Sequence, residues 1–275
     1  MPTEKFDKSK REKLNILILA DYSEGNRAAI HFAMRYLYRP GSLFHFIQTW
    51  HKPNFGSSMV RDLTPMLEGI ANSELENLRL HLKDCYSMPD DQIRLISFEG
   101  DLSSFFKSDT YQSQDWTLVL GSHDYENLFA HKYRMNELIN QVSQDLFVLA
   151  GFANDNTISE IFMLADTDQT ATSNLSLLKK IAISEKPDIH VCLSQRFDSS
   201  EARRNRALPL IEACKGAKIN FSMIENGEGQ KELKEFSRSK GNKLILFEKN
   251  SQRRFQNGMR SCLDVWFLKS KGIRI

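Results

Sequence analysis

The 275-residue chain carries 37 Lys and Arg against 35 Asp and Glu, a formal net charge of +2 that is too small to gather a polyanion by bulk attraction. Its hydrophobic share of 41% and charged share of 26% are those expected of a soluble globular protein, and no run approaches the roughly 18 apolar residues that span a bilayer. Nucleic acid and membrane are therefore set aside as partners.

In chain order, residues 1–13 are charged and have no apolar core behind them, which predicts a solvated tail rather than a secretory signal. Five short apolar runs then alternate with longer amphipathic segments. The runs are Ile16–Ala20, Leu43–Gln48, Ile93–Phe98, Thr117–Leu120 and Leu146–Ala150. They are apolar at consecutive positions, as parallel strands covered on both faces are. Between the first two, Ala29, Ala33, Tyr36 and Leu37 form a helical stripe, with Ser23 and Asn26 as candidate N-caps. Between the second and third, Leu67, Ala71, Leu75, Leu78, Leu82 and Cys85 form a longer stripe at steps of three and four.

The order then repeats. "NILILAD" at 15–21 returns as "EIFMLAD" at 160–166, an offset of 166 − 21 = 145, and "HFIQ" at 45–48 returns as "HVCL" at 190–193 with the same offset. "LVLG" at 118–121 aligns with "LILF" at 244–247 (offset 126), and "DLFVL" at 145–149 with "DVWFL" at 264–268 (offset 119). The second set of strands is expected at Ile161–Ala165, Ile189–Leu193, Ile219–Ile224, Leu244–Phe247 and Val265–Leu268. A tandem duplication follows, with domains over 1–151 and 157–275 and a boundary in the polar stretch Gly151–Thr157. Strand–helix alternation implies a parallel sheet with right-handed crossovers in each copy.

"ILILADYSEGNRAAIHFAMRYL" (16–37), the Gly-Asp turn in "FEGDLSSFF" (98–106) and the strand-turn "LVLGS" (118–122) resemble the universal stress protein family in its tandem form. That resemblance implies the fold class: α/β, two five-stranded parallel-sheet sandwiches of the Rossmann-like, adenine nucleotide alpha hydrolase-like type, packed as a pseudo-dimer. It also implies pairing through the last strands of the two copies and a cytoplasmic stress-response role. An adenine nucleotide would lie at the carboxyl edge of the sheet, where strand order reverses.

The family's phosphate loop reads G-x2-G-x9-G-[ST], its glycines letting backbone N–H groups approach phosphate oxygens. Here Gly121 fills the first position and Ser122 follows it. Asp124 stands at the second, Arg134 at the third and Met135 at the Ser/Thr position. A carboxylate at 124 repels a triphosphate. The residues that the resemblance maps to a nucleotide are thus Ala20, Asp21, Gly100, Gly121, Ser122 and Arg134, a vestigial or low-affinity set. Asp21 has two readings, beside adenine and ribose or closing a turn. In the second copy the same alignment puts Phe247 at the first glycine and Asn250 at the second, and reads Asp166 as a turn residue.

Other chemistry is thin. Four cysteines (Cys85, Cys192, Cys214, Cys262) form no CxxC pair and read as reduced, mostly buried thiols. The histidines show no metal-ligand spacing; His45 falls inside a strand and reads as a satisfied core or edge residue, and His123 as surface. The basic residues Lys249, Arg253, Arg254 and Arg260 read as a solvated loop, and the turn at Gly227–Gly229 as a turn only. The expectation is a non-catalytic binding or regulatory protein without a cofactor, engaging a protein partner, its two halves paired within the chain, with a homodimer the next expected assembly. The alternative is an ATP- or AMP-binding stress sensor using a remodelled pocket in the first domain.

Overall fold

The computed structural model describes residues 14–20, 24–52, 62–121, 145–150, 157–165, 172–194, 208, 212, 214–215, 218–224 and 242–247. In order they form β1 (Asn15–Leu19), α1 (Glu24–Phe32) continuing into a π-helical turn (Ala33–Leu37), β2 (Leu43–Trp50), α2 (Thr64–Tyr86), β3 (Ile93–Glu99), α3 (Leu102–Lys107), α4 (Asp109–Gln112), β4 (Trp116–Gly121) and β5 (Asp145–Ala150). Then follow β6 (Glu160–Ala165), α5 (Thr172–Glu185), β7 (Asp188–Ser194), β8 (Lys218–Ile224) and β9 (Lys243–Phe247). Each apolar run that falls on described residues is a strand; Val265–Leu268 lies outside them. No helix of the described residues is long and apolar enough to cross a membrane.

The nine strands of the described residues belong to one sheet, ordered β3-β2-β1-β4-β5-β9-β6-β7-β8. Every pairing is parallel except β5 with β9. The first four strands thus follow the order 3-2-1-4, and β8-β7-β6-β9 mirrors it across β5. The registers correspond as well. Leu17 pairs with His45 and Phe162 with His190, both members of each pair shifted by 145.

Two expectations change. Asn15 pairs with Trp116 and Glu160 with Lys243, so β4 maps onto β9 with an offset of 243 − 116 = 127, one more than the residue-type match had suggested. Phe247 therefore answers to Leu120, and Glu248, outside the described residues, answers to Gly121. The slip arises because "LVL" and "LIL" align equally well one residue apart, whereas hydrogen-bond register admits one answer. Second, β5, expected to meet the last strand of the second copy, is bonded to β9, while Val265–Leu268 lies outside the described residues. One of its edges is bonded to β4 and the other to β9, with Val148 opposite Ile245. A strand has two edges, and both are taken.

The core runs across the seam. Ile16, Ile18, Ala29, Phe32 and Tyr36 of the first half share a continuous apolar cluster with Phe147, Leu149, Ile161, Met163, Leu178 and Ile181. The helical stripes supply it: Ala29, Ala33, Tyr36 and Leu37 are all buried, as are Ala71, Leu75, Leu78 and Leu82 of α2. Cys85, the last member of the α2 stripe, is exposed, its Sγ 3.5 Å from Nδ1 of His81, while Cys214 is buried. The sheet's other face carries α3 and α4, where Phe105, Phe106 and Tyr111 are buried and the Tyr111 and Trp116 rings stack at 6.1 Å.

A polar latch joins α1 to α5. The Glu185 side chain, only 3% exposed, accepts a hydrogen bond from the Tyr36 hydroxyl and pairs with Arg35 at 2.5 Å. Burial and that carboxylate push the Tyr36 hydroxyl up to about 12. Lys180 donates to the Arg35 carbonyl at 2.8 Å, a cation closing the C-terminal end of the helix where carbonyls point outward. Removing one partner of a buried charged pair strands the other. Glu185→Ala is expected to destabilise the fold by about 1–3 kcal/mol, the half-exposed Arg35 keeping the cost below that of a fully buried pair. Urea unfolding followed by both far-UV and near-UV signals measures this. One coincident transition is expected, since the core does not stop at the seam.

Candidate functional site

The carboxyl ends of β1, β2, β3 and β4 lie along one edge, and the strand order reverses between β1 and β4, where an open α/β sheet holds a ligand. Of the residues mapped to a nucleotide, Ala20, Gly100 and Gly121 are described. Asp21, Ser122 and Arg134 lie outside the described residues, as do Asp124, Met135, His123, Asp166 and the basic loop from Lys249 to Arg260.

Ala20 is buried at the end of β1 and donates its N–H to the Ile47 carbonyl at 2.7 Å, extending the bonding with β2. Ile18 pairs with Val119, so Ala20 and Gly121 come level two residues further on, on adjacent strands. These two candidates meet. Gly100 does not join them: it ends β3, which β2 and β1 separate from β4, a gap of roughly 14 Å at the usual strand spacing.

The turn at Gly100 has its own explanation. Its φ of +131° is one that side-chain-bearing residues rarely adopt, its N–H donates to the Trp50 carbonyl at 2.8 Å, and an added Cβ would come 3.0 Å from the Phe98 ring. Asp101 then caps α3, accepting from the Ser104 N–H and hydroxyl, both at 2.7 Å. The Gly-Asp pair is a strand-to-helix turn whose carboxylate is already engaged.

Gly121 is occupied by packing. A methyl group at its Cα would fall on the backbone of Gly25 in the first turn of α1. The neighbouring Asn26, buried inside that turn, donates its side-chain amide to the Leu19 carbonyl at the end of β1. Asn26 is therefore not the N-cap its residue type suggested, because α1 begins at Glu24; it anchors the helix to the strand end. Ser23, the other candidate cap, lies outside the described residues. Gly25 and Asn26 together seat α1 on the ends of β1 and β4. Residue reading passed over Gly25, although a glycine inside a helical pattern commonly marks a close backbone approach.

Among the described residues, no cluster of three or more His, Cys, Asp and Glu side chains is placed to hold a metal ion. His45 is buried, as expected, but not satisfied. Its ring sits edge-on to Trp116 at 4.5 Å and its Nε2 has no hydrogen-bond partner. Burial and the nearby Arg94 guanidinium push its pKa down to about 4. It acts as a neutral aromatic of the core.

No family model matches this chain, and no curated protein does. Among solved structures, it is similar to a universal stress protein from Archaeoglobus fulgidus DSM 4304, with 8% identity, 86% of this chain and 97% of that one covered, and a TM-score of 0.47. A glycosyltransferase from Rickettsia africae ESF-5 matches with 14% identity over 79% of this chain and 70% of that one, at a TM-score of 0.19. At these scores neither likeness extends to function.

Gly121→Ala is expected to destabilise the chain by about 1–3 kcal/mol, the usual cost of an overpacked contact, because α1 must move off the sheet end. Thermal unfolding without any nucleotide measures it; an unchanged midpoint would free Gly121 from this packing role. For His45 the sign is set by a folded-state pKa of about 4 below the ordinary 6.5. The unfolded chain takes up the proton first, so stability falls as pH drops from about 6.5 towards 4, by at most about 3 kcal/mol. The difference between the unfolding free energies of the natural chain and His45→Phe, measured across that window, isolates the effect.

Proposed function

We propose that this chain is a tandem, universal-stress-protein-like binding and regulatory protein of the cytoplasm, without catalytic activity, whose first-half nucleotide grip has been lost. The observation carrying this reading is the contact between Gly25 and Gly121. In a nucleotide loop, a glycine leaves room for phosphate; here an added Cβ at Gly121 would fall on the chain's own helix, so packing is by itself a sufficient reason for the glycine. Asp124 and Arg134 in place of the remaining loop glycines support the same reading. The mirrored strand order and the shared 145-residue register support a duplication, with the two halves as each other's partner. The regulatory target is then a protein bound outside the carboxyl edge, and a homodimer is the next assembly to look for.

Calorimetric titration of ATP and of AMP into the full chain tests the reading. Losing two or three charge-assisted N–H contacts, at about 1.5–3 kcal/mol each, removes several powers of ten from a micromolar site. Little or no heat is expected at roughly 0.15 M salt, where exposed electrostatic contacts are screened. Asp124→Gly removes the repulsion but leaves Gly25 in place, so its gain is expected to stay below about tenfold. Micromolar binding of ATP at that salt, with no matching affinity for inorganic triphosphate, would instead support a nucleotide sensor using Asp21, Ser122 and Arg134.

A further inference from the structure

We infer that the junction between the two halves carries a binding site for a phosphate-bearing anion, built from Arg35 and Arg39 of the first half and Lys180 of the second. Along the first helix and its π-helical turn, Arg27, His31 and Arg35 follow one another at four-residue steps, and Arg39 lies just beyond; the three arginines are exposed and His31 is half-buried. Lys180 arrives from α5. Its distance in sequence from Arg35 is 180 − 35 = 145, the offset that relates β1 to β6, so the fold brings two copies of one basic position together. The Arg35 guanidinium and the Lys180 ammonium stand 5.3 and 5.9 Å from the centre of the Tyr36 ring.

Among the described residues, the carboxylate paired at this junction is Glu185, and it is buried and committed to Arg35 and the Tyr36 hydroxyl. Lys180 is held by backbone carbonyls, which position its charge without neutralising it. Among the described residues, neither Lys180, Arg39 nor Arg27 forms an ion pair with a carboxylate. The crowding registers in the groups themselves. Burial, then Arg39 and Arg35, hold the Lys180 ammonium below its ordinary range; burial and Arg35 do the same to His31, with Glu185 opposing. An anion carrying several charges relieves this repulsion, and a planar arginine beside a lysine suits phosphate oxygens. The site is separate from the carboxyl edge: Arg35 lies ten residues along the helix from Gly25, roughly 15 Å.

Titration of inorganic triphosphate into the full chain at roughly 0.02 M and 0.15 M salt tests the inference, since an exposed electrostatic site weakens as screening rises. Binding at the lower salt is expected, and Arg39→Gln should reduce it about threefold to tenfold, the worth of one exposed charge contact. Arg39→Gln should melt like the natural chain without ligand, its side chain having no hydrogen-bond or ion-pair partner among the described residues to lose. Arg253→Gln with Arg254→Gln, in the C-terminal basic loop, should leave the affinity unchanged. Undiminished binding by Arg39→Gln, loss of binding in the loop variant, or no binding by the natural chain at low salt would each overturn the assignment.

Discussion

The antiparallel bonding of β5 to β9 is the constraint from which the arrangement of the molecule follows. An open parallel sheet that ends in an apolar strand exposes unpaired N–H and C=O groups that recruit other chains. Here β5 has β4 on one side and β9 on the other, with Phe147 and Leu149 buried between the two sets of helices. Because that single pairing is antiparallel, the two sets of parallel strands run in opposite directions. Their carboxyl ends, and whatever crevices they hold, therefore lie on opposite edges of the sheet.

The same arrangement decides what the helices can do. Placing α1 and α5 on one face, close to the seam, brings Arg35 and Tyr36 against Lys180 and Glu185. A nearly buried carboxylate then ties the halves together with charge-assisted bonds, where most surface ion pairs contribute little. At the other end of α1, Gly25 and Asn26 press the first turn into the switch point between β1 and β4. A glycine at a strand end is compatible with either a bound phosphate or a close backbone neighbour, since both need the absence of Cβ. At Gly121 the neighbour is Gly25, and at Gly100 the positive φ is sufficient reason.

Much of the fold was legible in the residues because buried parallel strands are apolar at consecutive positions, a pattern that survives without any motif. Every expected strand falling on described residues is present, and the 145-residue offset reappears as hydrogen-bond register in β1–β2 and β6–β7. The candidate site was less legible. Asn26 has the composition of a cap, yet only the position of the Leu19 carbonyl shows that its amide works from inside the helix. His45 has a strand position that told of burial, while its unpartnered Nε2 depends on what Trp116 and the strands around it leave within reach.

What the sequence by itself determined is therefore local: which segments are strands, which faces of the helices are apolar, and that two stretches of the chain follow one pattern. Those properties are set by side-chain chemistry within a few residues, and they can be read from spacing alone. The tertiary structure decided the rest. It placed β9 beside β5, shifted the match of β4 and β9 to 127, and gave Gly121 a backbone neighbour nearly one hundred residues away in sequence. Each depends on which surfaces meet, and the free energy of that choice is shared among distant residues, none of which carries it in its identity.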